Sequence, residues 1–417
     1  MVILCTMFFV FGFVSWVNSI LIPYFRIACE LTHFQSYFVT FAFYIAYFVM
    51  AVPSGVLLKK VGFKTGIMYG FALMALGMFI FTPAALTRAF PLFLLGLFII
   101  GTGLAILQTA ANPYVTIVGP IDSAARRISI CGICNKFAGI ISPLVFAAVI
   151  LKASDKESFA LVESGVLDAA AKAAVLDELI RRVIWPYLIL GVILLAFGIL
   201  IRFSMLPEID TEEQNAGETT GEKRSIFSYP YLVLGVIALF CHVGTQVIAI
   251  DTIISYAGSM GMDMLDAKIF PSVTLACTLI GYVLGIILIP KVISQTTALK
   301  ICTITGLVLS LCVVLVHGDV NWFGHTVDAS VVFLNLLGLP NALIYAGIWP
   351  LSIKGLGANT KIGSSLLIMA LCGNALMPQA YSAIATATNL TAGYWILTPC
   401  FLYMIFFAFR GHKIVKW

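Results

Sequence analysis

Long apolar runs recur along the whole chain, separated by short polar stretches. A helix needs about 20 apolar residues to cross the ~30 Å hydrocarbon core of a bilayer, and twelve runs approach or exceed that length. Strands of a membrane barrel would be about half as long and would alternate in polarity. The pattern therefore predicts twelve helical spans, numbered here in chain order: 3–23, 34–58, 65–86, 91–115, 128–151, 184–206, 231–256, 270–289, 299–316, 330–353, 364–385 and 392–409.

The composition agrees with this prediction. Hydrophobic residues make up 61% of the 417 residues and charged residues only 10%, whereas soluble domains carry about 25% charged residues. The 24 basic and 19 acidic residues could not cover the surface of a soluble protein of this size. A soluble enzyme and a nucleic-acid-binding protein are therefore excluded, and the bilayer is the expected surrounding of a polytopic membrane protein.

The distribution of Lys and Arg predicts the orientation, because short cytoplasmic loops of membrane proteins are enriched in both. With a cytoplasmic N-terminus, the inner segments hold fifteen basic residues and the outer loops eight, so both termini are predicted to be cytoplasmic. The inner residues are Lys59, Lys60, Lys64, Arg126, Arg127, Arg202, Lys223, Arg224, Lys291, Lys300, Lys354, Lys361, Arg410, Lys413 and Lys416; the outer ones are Arg26, Arg88, Lys152, Lys156, Lys172, Arg181, Arg182 and Lys268.

Two polar segments are long enough to organise the chain. Residues 152–182 form a predicted outer loop that is rich in Ala and helix-prone, and residues 207–229 form an acidic inner segment without the apolar residues of a core. The inner segment divides the spans six and six. We therefore predict an N-terminal six-helix bundle at 1–206, a cytoplasmic linker at 207–229 and a C-terminal bundle at 230–417, as in two-bundle transporters, whose substrate site lies near the membrane midplane.

Two ionisable side chains lie deep within the apolar spans, Lys136 in span 5 and Asp251 in span 7. A charge near the centre of a membrane helix costs about 2.5–3.5 kcal/mol on insertion scales, so each needs a partner or a wet cavity. Counting residues along the helices places Lys136 near mid-membrane and Asp251 nearer the outer mouth. Each is either a structural contact or part of a functional site.

Polar residues also collect in both halves. One alone would most often make a helix-to-helix hydrogen bond of about 0.6 kcal/mol. Together with nearby aromatic rings, they suit a ligand with many hydroxyls and apolar ring faces, which describes a sugar. The polar residues are Gln108, Asn112, Asn135, His242, Gln246, Asn341, Tyr345, Asn374 and Gln379, and the aromatic ones are Trp16, Phe41, Tyr44 and Trp349.

Several motifs carry a resemblance to a known family. The most specific are LQTAANPYVTIVGP at 107–120 and KGLGANTKIGSS at 354–365, with NSILIP at 18–23, AFYIAYF at 42–48 and the more widespread GVLLKKVG at 55–62. The chain resembles the fucose permease branch of the major facilitator superfamily, which includes glucose/galactose transporters. This implies an all-α membrane fold of two pseudo-symmetric six-helix bundles, and sugar import by alternating access across a bacterial inner membrane. No enzymatic activity is expected, because His242 is the one histidine within a span and no carboxylate lies three or four residues from it. We also expect no cofactor or bound metal, and a monomer.

The resemblance also assigns residues. It places sugar ligands at Asn135, Tyr345 and Gln246, and it places Ser19 and Gln108 where proton-coupled fucose permeases carry an Asp and a Glu. Neither of these two residues can carry a proton at physiological pH. Gln at position 108 is similar to the glucose/galactose members, which favours glucose or galactose; L-fucose and N-acetylglucosamine remain alternatives, as does an exporter of the same fold.

The missing carboxylates leave three interpretations of coupling open. Lys136 and Asp251 could act as a displaced, protonatable charge pair. Sodium could instead bind Asp251 and backbone carbonyls, because a hard cation prefers oxygen ligands. Alternatively, Lys136 supplies a permanent positive charge and the protein is an uncoupled facilitator.

Overall fold

A computed structural model describes residues 1–117, 124–152, 155, 159, 162, 167–204, 226–289, 292–354, 356 and 360–416. Within these residues, twelve helical stretches are long and apolar enough to cross a membrane, which confirms the predicted number of spans. They are Val2–Ala28, His33–Leu58, Phe63–Thr87, Phe90–Ala111, Ile130–Ile150, Ala169–Arg202, Pro230–Asp251, Met264–Leu288, Gln295–Leu315, Ala329–Ile353, Ser365–Ala387 and Leu390–Lys413.

Five spans contain one uninterrupted helix, and seven are broken into segments. The single helices are Phe63–Thr87, Phe90–Ile117, Ala124–Ile150, Pro230–Asp251 and Gln295–Leu315. The broken spans contain Val2–Trp16 and Asn18–Ala28, His33–Ser36 and Phe38–Val61, Ala169–Arg181 and Ile184–Arg202, Met264–Ala267 and Phe270–Leu288, Ala329–Leu336 and Gly338–Ile353, Thr360–Met369 and Gly373–Ala387, and Leu390–Gly393 and Leu397–Phe409. A short helix, Ile253–Ser259, follows span 7.

Span 6 begins earlier than the sequence predicted. Its first segment, Ala169–Arg181, lies in the Ala-rich, helix-prone stretch 152–182 that the sequence predicts to be an outer loop. The Asp168 carboxylate caps it by accepting a hydrogen bond from the Ala171 amide at 2.7 Å. Arg182, at its end, donates two hydrogen bonds of 2.7 and 2.6 Å to the buried Asp155 carboxylate. The charges therefore stay at one end of the span while its apolar part, Ile184–Arg202, enters the membrane.

The all-α prediction omitted one small sheet. Strand β1, Asp319–Trp322, pairs antiparallel with strand β2, His325–Asp328, between spans 9 and 10. Phe323 and Gly324 form its two-residue turn with φ of 52° and 83°, the backbone that favours tight hairpins. Because this hairpin has a polar, exposed pattern, no apolar periodicity revealed it.

Contacts between spans repeat with an offset of six. Spans 3 and 4, 3 and 6, 2 and 4, and 1 and 5 pack together, and so do spans 9 and 10, 9 and 12, 8 and 10, and 7 and 11. Between these two groups, span 5 packs on span 8 and span 2 on span 11. The described residues thus fit two related six-helix halves; residues 205–225 of the linker lie outside them, so the domain boundaries remain a prediction.

Close helix contacts depend on paired glycines. A Cβ at Gly103 would lie 2.4 Å from the Gly70 carbonyl oxygen, and one at Gly77 would lie 2.6 Å from that of Gly96. Spans 3 and 4 therefore meet backbone to backbone. Small residues serve this purpose in membrane helices, where burial of apolar surface does not drive association.

The two ends of the molecule can be named from the chain itself. Twelve crossings bring both termini to the same side, which we call the terminal end. The hairpin and the segment Ala169–Arg181 lie on the other side, which we call the hairpin end.

Candidate functional site

Lys136 lies at the middle of its helix and points into the protein. It is twelve residues into Ala124–Ile150, about 18 Å along the axis. The residue is 8% exposed, and its Nζ lies 4.7 Å from the centre of the Trp16 ring in span 1. Such a cation–π contact is worth about 2 kcal/mol when desolvated. No carboxylate of the described residues lies within ion-pair distance of Lys136, so Trp16 supplies much of its stabilisation.

Two glycines make this contact possible. A Cβ at Gly139, one turn beyond Lys136, would lie 2.4 Å from Cδ1 of Trp16. A Cβ at Gly12, one turn before Trp16, would lie 1.9 Å from the backbone oxygen of Asn135. Spans 1 and 5 therefore approach closely at mid-membrane, and the Trp16 ring fills the space beside Lys136.

The C-terminal half presents aromatic residues at the same depth. His242 of span 7 and Tyr345 of span 10 have ring centres 6.4 Å apart, and Tyr345 and Trp349 stack with ring centres 5.7 Å apart. Lys136 lies within electrostatic range of the buried His242 ring. These groups thus belong to both halves, with Lys136 and His242 on either side of the boundary between them. We call Trp16, Lys136, His242, Tyr345 and Trp349 the central cluster.

Further polar residues share the helix faces of this cluster. Gln246 lies one turn beyond His242 and Asn341 one turn before Tyr345, since residues four apart share a face. Gln246 is half-buried and makes no hydrogen bond within the described part of the chain. Asn341 is 1% exposed, and its Oδ1 accepts no hydrogen bond from the described residues. Such an unpaired polar group costs about 1–3 kcal/mol, so both residues are suited to receive a ligand.

Three predicted residues of the N-terminal half make hydrogen bonds within that half. Gln108 Nε2 donates to the Tyr47 hydroxyl at 3.0 Å, and Asn135 Nδ2 donates to the Phe8 carbonyl at 3.1 Å. The Ser19 hydroxyl donates to the Trp16 carbonyl at 2.9 Å. Gln108 and Asn135 are half-buried and keep an amide oxygen for a ligand, whereas Ser19 is fully buried.

The remaining predicted amides are not joined to the central cluster by any contact in the described residues. Asn374 has a buried Oδ1 without a hydrogen bond, and both side-chain polar atoms of Gln379 are unpaired as well. Both belong to the helix Gly373–Ala387 of span 11. Asn112 belongs to span 4, but its side chain lies outside the described residues.

Asp251 lies apart from the central cluster. It ends the helix Pro230–Asp251 at the hairpin end and is 1% exposed. Its Oδ2 accepts a hydrogen bond of 3.1 Å from the Thr40 hydroxyl of span 2, while Oδ1 accepts none from the described residues. Lys136 is at mid-membrane, so the two charges form no ion pair here. The interpretation of the two as a charge pair is therefore not supported by this geometry.

Thr40 and Asp251 belong to a set of contacts that join the halves near the hairpin end. The rings of Tyr37 and Tyr381 meet edge to face with centres 6.0 Å apart, and the Ser272 hydroxyl donates to the Ile140 carbonyl at 2.7 Å. All these residues except Ile140 are less than 9% exposed. We call Tyr37, Thr40, Asp251, Ser272 and Tyr381 the interbundle seal. Of these, sequence reasoning had identified only Asp251, because hydroxyl and aromatic residues are common in membrane helices.

Comparison with known proteins shows the family to which this architecture belongs. The sequence model described as Major Facilitator Superfamily matches residues 4–394. The chain therefore belongs to the major facilitator superfamily, a family of membrane transporters rather than enzymes.

Individual relatives match over nearly their whole length. A protein of Brucella abortus biovar 1 (strain 9-941), named glucose/galactose transporter, is 31% identical over 98% of this chain and 93% of its own. A protein of Escherichia coli (strain K12), named L-fucose-proton symporter, is 31% identical over 97% of this chain and 91% of its own. The crystal structure of the transporter FucP in the outward conformation superposes with a TM-score of 0.69 at 29% identity, covering 98% of this chain and 97% of that one.

Proposed function

We propose that this protein imports a hexose, such as glucose or galactose, across a bacterial inner membrane by alternating access. The central cluster carries the proposal, because it places aromatic rings and an ammonium at mid-membrane between the halves. Aromatic faces pack against the apolar face of a pyranose ring, and the ammonium donates hydrogen bonds to its hydroxyls. The similarity to a glucose/galactose transporter and to an L-fucose-proton symporter supports the same substrate class.

The proposal includes an orientation and an assembly. With both termini cytoplasmic, the hairpin end faces outward and the central cluster is reached from either side in turn. The protein acts as a monomer, since each chain contains both halves. Transport is cation-coupled, although Ser19 and Gln108 replace the carboxylates expected of proton-coupled fucose permeases.

Glucose and galactose are favoured over L-fucose by Gln108, which is similar to the glucose/galactose members. L-fucose is the second candidate because of the symporter relative. Labelled glucose, galactose, L-fucose and N-acetylglucosamine should be compared in right-side-out vesicles under an imposed pH or sodium gradient. Accumulation of glucose or galactose above equilibrium under one gradient is expected. Transport of none of these sugars, including by counterflow, would contradict the proposal.

Replacing Gln108 or Asn135 by Ala is expected to weaken sugar binding by about two- to tenfold. Each change removes a half-buried hydrogen-bonding amide, and a hydrogen bond is worth about 0.5–1.5 kcal/mol. Dissociation constants of the purified variants, measured by calorimetry, check this. Gln295→Ala is the control, since Gln295 is exposed at the terminal end, where it donates to the Ala346 carbonyl at 2.5 Å; sugar affinity equal to that of the control in both variants would exclude these amides from the site.

A further inference from the structure

We propose that Asp251 is a proton-dependent lock of the interbundle seal: the hairpin end closes over a neutral carboxylic acid and opens when the acid ionises. This inference rests on the proposed function, because it assigns the step at which a coupling proton is taken up. It follows from the position, hydrogen bonding and burial of Asp251.

The closed seal provides too few donors for a carboxylate. Asp251 is 1% exposed and Thr40 is fully buried, so bulk water does not reach the pair. One hydroxyl donates to Oδ2 at 3.1 Å, and Oδ1 accepts no hydrogen bond from the described residues. A buried carboxylate is normally paired with a cation or with several donors. A neutral carboxylic acid fits this environment better, because burying an uncharged acid costs far less than burying a carboxylate without a countercharge.

Among the described residues, the other titratable groups near Asp251 do not supply a countercharge. Tyr37 and Tyr44 of span 2 lie close enough to act on Asp251, and both are neutral phenols. His242, on the same helix, lies nine residues away, about 13 Å along the axis. Arg26 of span 1 contacts His33 at 2.7 Å. The phenols Tyr256, Tyr381 and Tyr394 also lie near the hairpin end; Tyr256 bonds Ser330 and Tyr394 bonds Thr252.

Opening of the hairpin end reverses the preference of Asp251 for the neutral acid. Separation of span 2 from span 7 breaks the Thr40 hydrogen bond and exposes the carboxylate to water, where the ionised form is stable. The closed state therefore binds the proton more tightly than the open state, so low external pH favours closure and high pH favours opening. One proton from the outer solution adds to the carboxylate oxygen before each closure. Asp251 would thus provide a protonation step although Ser19 and Gln108 provide none.

The test measures closure directly. Ser272→Cys places a thiol in the seal on span 8, at the contact with span 5 and away from the span that carries Asp251. Intact cells carrying this reporter, with and without Asp251→Asn, are treated with a membrane-impermeant maleimide between about pH 5.5 and 8.5, and labelling is quantified on the reporter peptide by mass spectrometry. The ratio of labelling rates at each pH cancels the pH dependence of the thiol itself. Asp266→Asn, a carboxylate change at the same end, serves as the matched control.

The labelling rate of the reporter chain with Asp251 intact is divided by that of the reporter chain with Asp251→Asn. We expect this ratio to be near one at pH 5.5 and to rise about tenfold or more by pH 8.5. The Asp266→Asn chain should behave like the chain with Asp251 intact. A ratio independent of pH, or one set by external sodium instead, would overturn the inference. If Ser272→Cys impairs folding, Ser36→Cys, 1% exposed and next to span 11, is the second reporter. Labelling needs no sugar, so the two proposals can fail separately. A pH-dependent ratio in a protein that transports no sugar would contradict only the proposed function. Sugar transport by a protein whose ratio does not change with pH would contradict only this inference.

Discussion

Lys136→Met is expected to stabilise the protein and to weaken sugar binding, two effects of opposite sign. The ammonium lies at mid-membrane without a carboxylate partner among the described residues, at an insertion cost of about 2.5–3.5 kcal/mol. Methionine has a similar length and no charge, so the free energy of unfolding should rise by about 0.5–1.5 kcal/mol, less than the full cost because the contact with Trp16 is lost. The same change removes charge-assisted hydrogen bonds to sugar hydroxyls, worth about 1.5–3 kcal/mol. The dissociation constant should therefore rise by about 10- to 150-fold.

Thermal unfolding in detergent, with and without sugar, measures both effects. Lys300→Met is the matched control, because Lys300 Nζ also lies over an aromatic ring, 4.9 Å from the centre of Phe409, but near the terminal end. Lys300→Met should change neither sugar affinity nor stability by much. A Lys136→Met protein that binds sugar normally would remove the ammonium from the site.

Gly12→Ala is expected to destabilise the protein by about 1–3 kcal/mol, the range for overpacking a well-packed interior. The added Cβ would lie 1.9 Å from the Asn135 carbonyl oxygen, which is backbone and cannot move aside as a side chain could. Spans 1 and 5 must separate, and this separation also shifts Trp16 relative to Lys136. Sugar affinity should fall together with the melting temperature.

Gly132→Ala separates this effect from the general effect of Gly replacement. Gly132 lies on the span 5 helix, and a Cβ there meets nothing within 4 Å. The variant should be neutral or more stable by up to about 1 kcal/mol, because Ala favours helix over Gly. Equal stability of the Gly12→Ala and Gly132→Ala proteins would show that the close contact between spans 1 and 5 is absent.

Much of the fold was predictable from the sequence because a bilayer constrains it strongly. Each crossing requires about 20 apolar residues, so counting runs gave twelve spans. Elements that contain many polar residues were harder to predict from the sequence. The segment Ala169–Arg181 is helix-prone but charged, so its composition did not show that it continues into span 6. The hairpin at 319–328 carries no apolar alternation.

The site was predictable only in part. A charge in an apolar run stands out, so Lys136 and Asp251 could be found by composition alone. Their partners could not, because Trp16 and Thr40 are ordinary residues of membrane helices and come from other spans. The amide of Asn135 was expected to face the sugar, and the structure shows that half of it bonds the Phe8 carbonyl instead. Which atoms of a polar residue remain free depends on helix rotation, which a sequence pattern does not determine.

The pairing of span 5 with span 8 and of span 2 with span 11 has a mechanical consequence. These two contacts are related by the same six-span offset as the rest of the molecule, so they lie on opposite flanks of the boundary. A rotation of one half about a line through the middle of both contacts would keep these spans together at that depth. The same rotation would separate their parts near the hairpin end, including Ser272 and Tyr37, and bring their parts near the terminal end together. Bulkier side chains introduced at these two contacts should slow the exchange between the outward-open and inward-open states. They should not alter the affinity for sugar in either state.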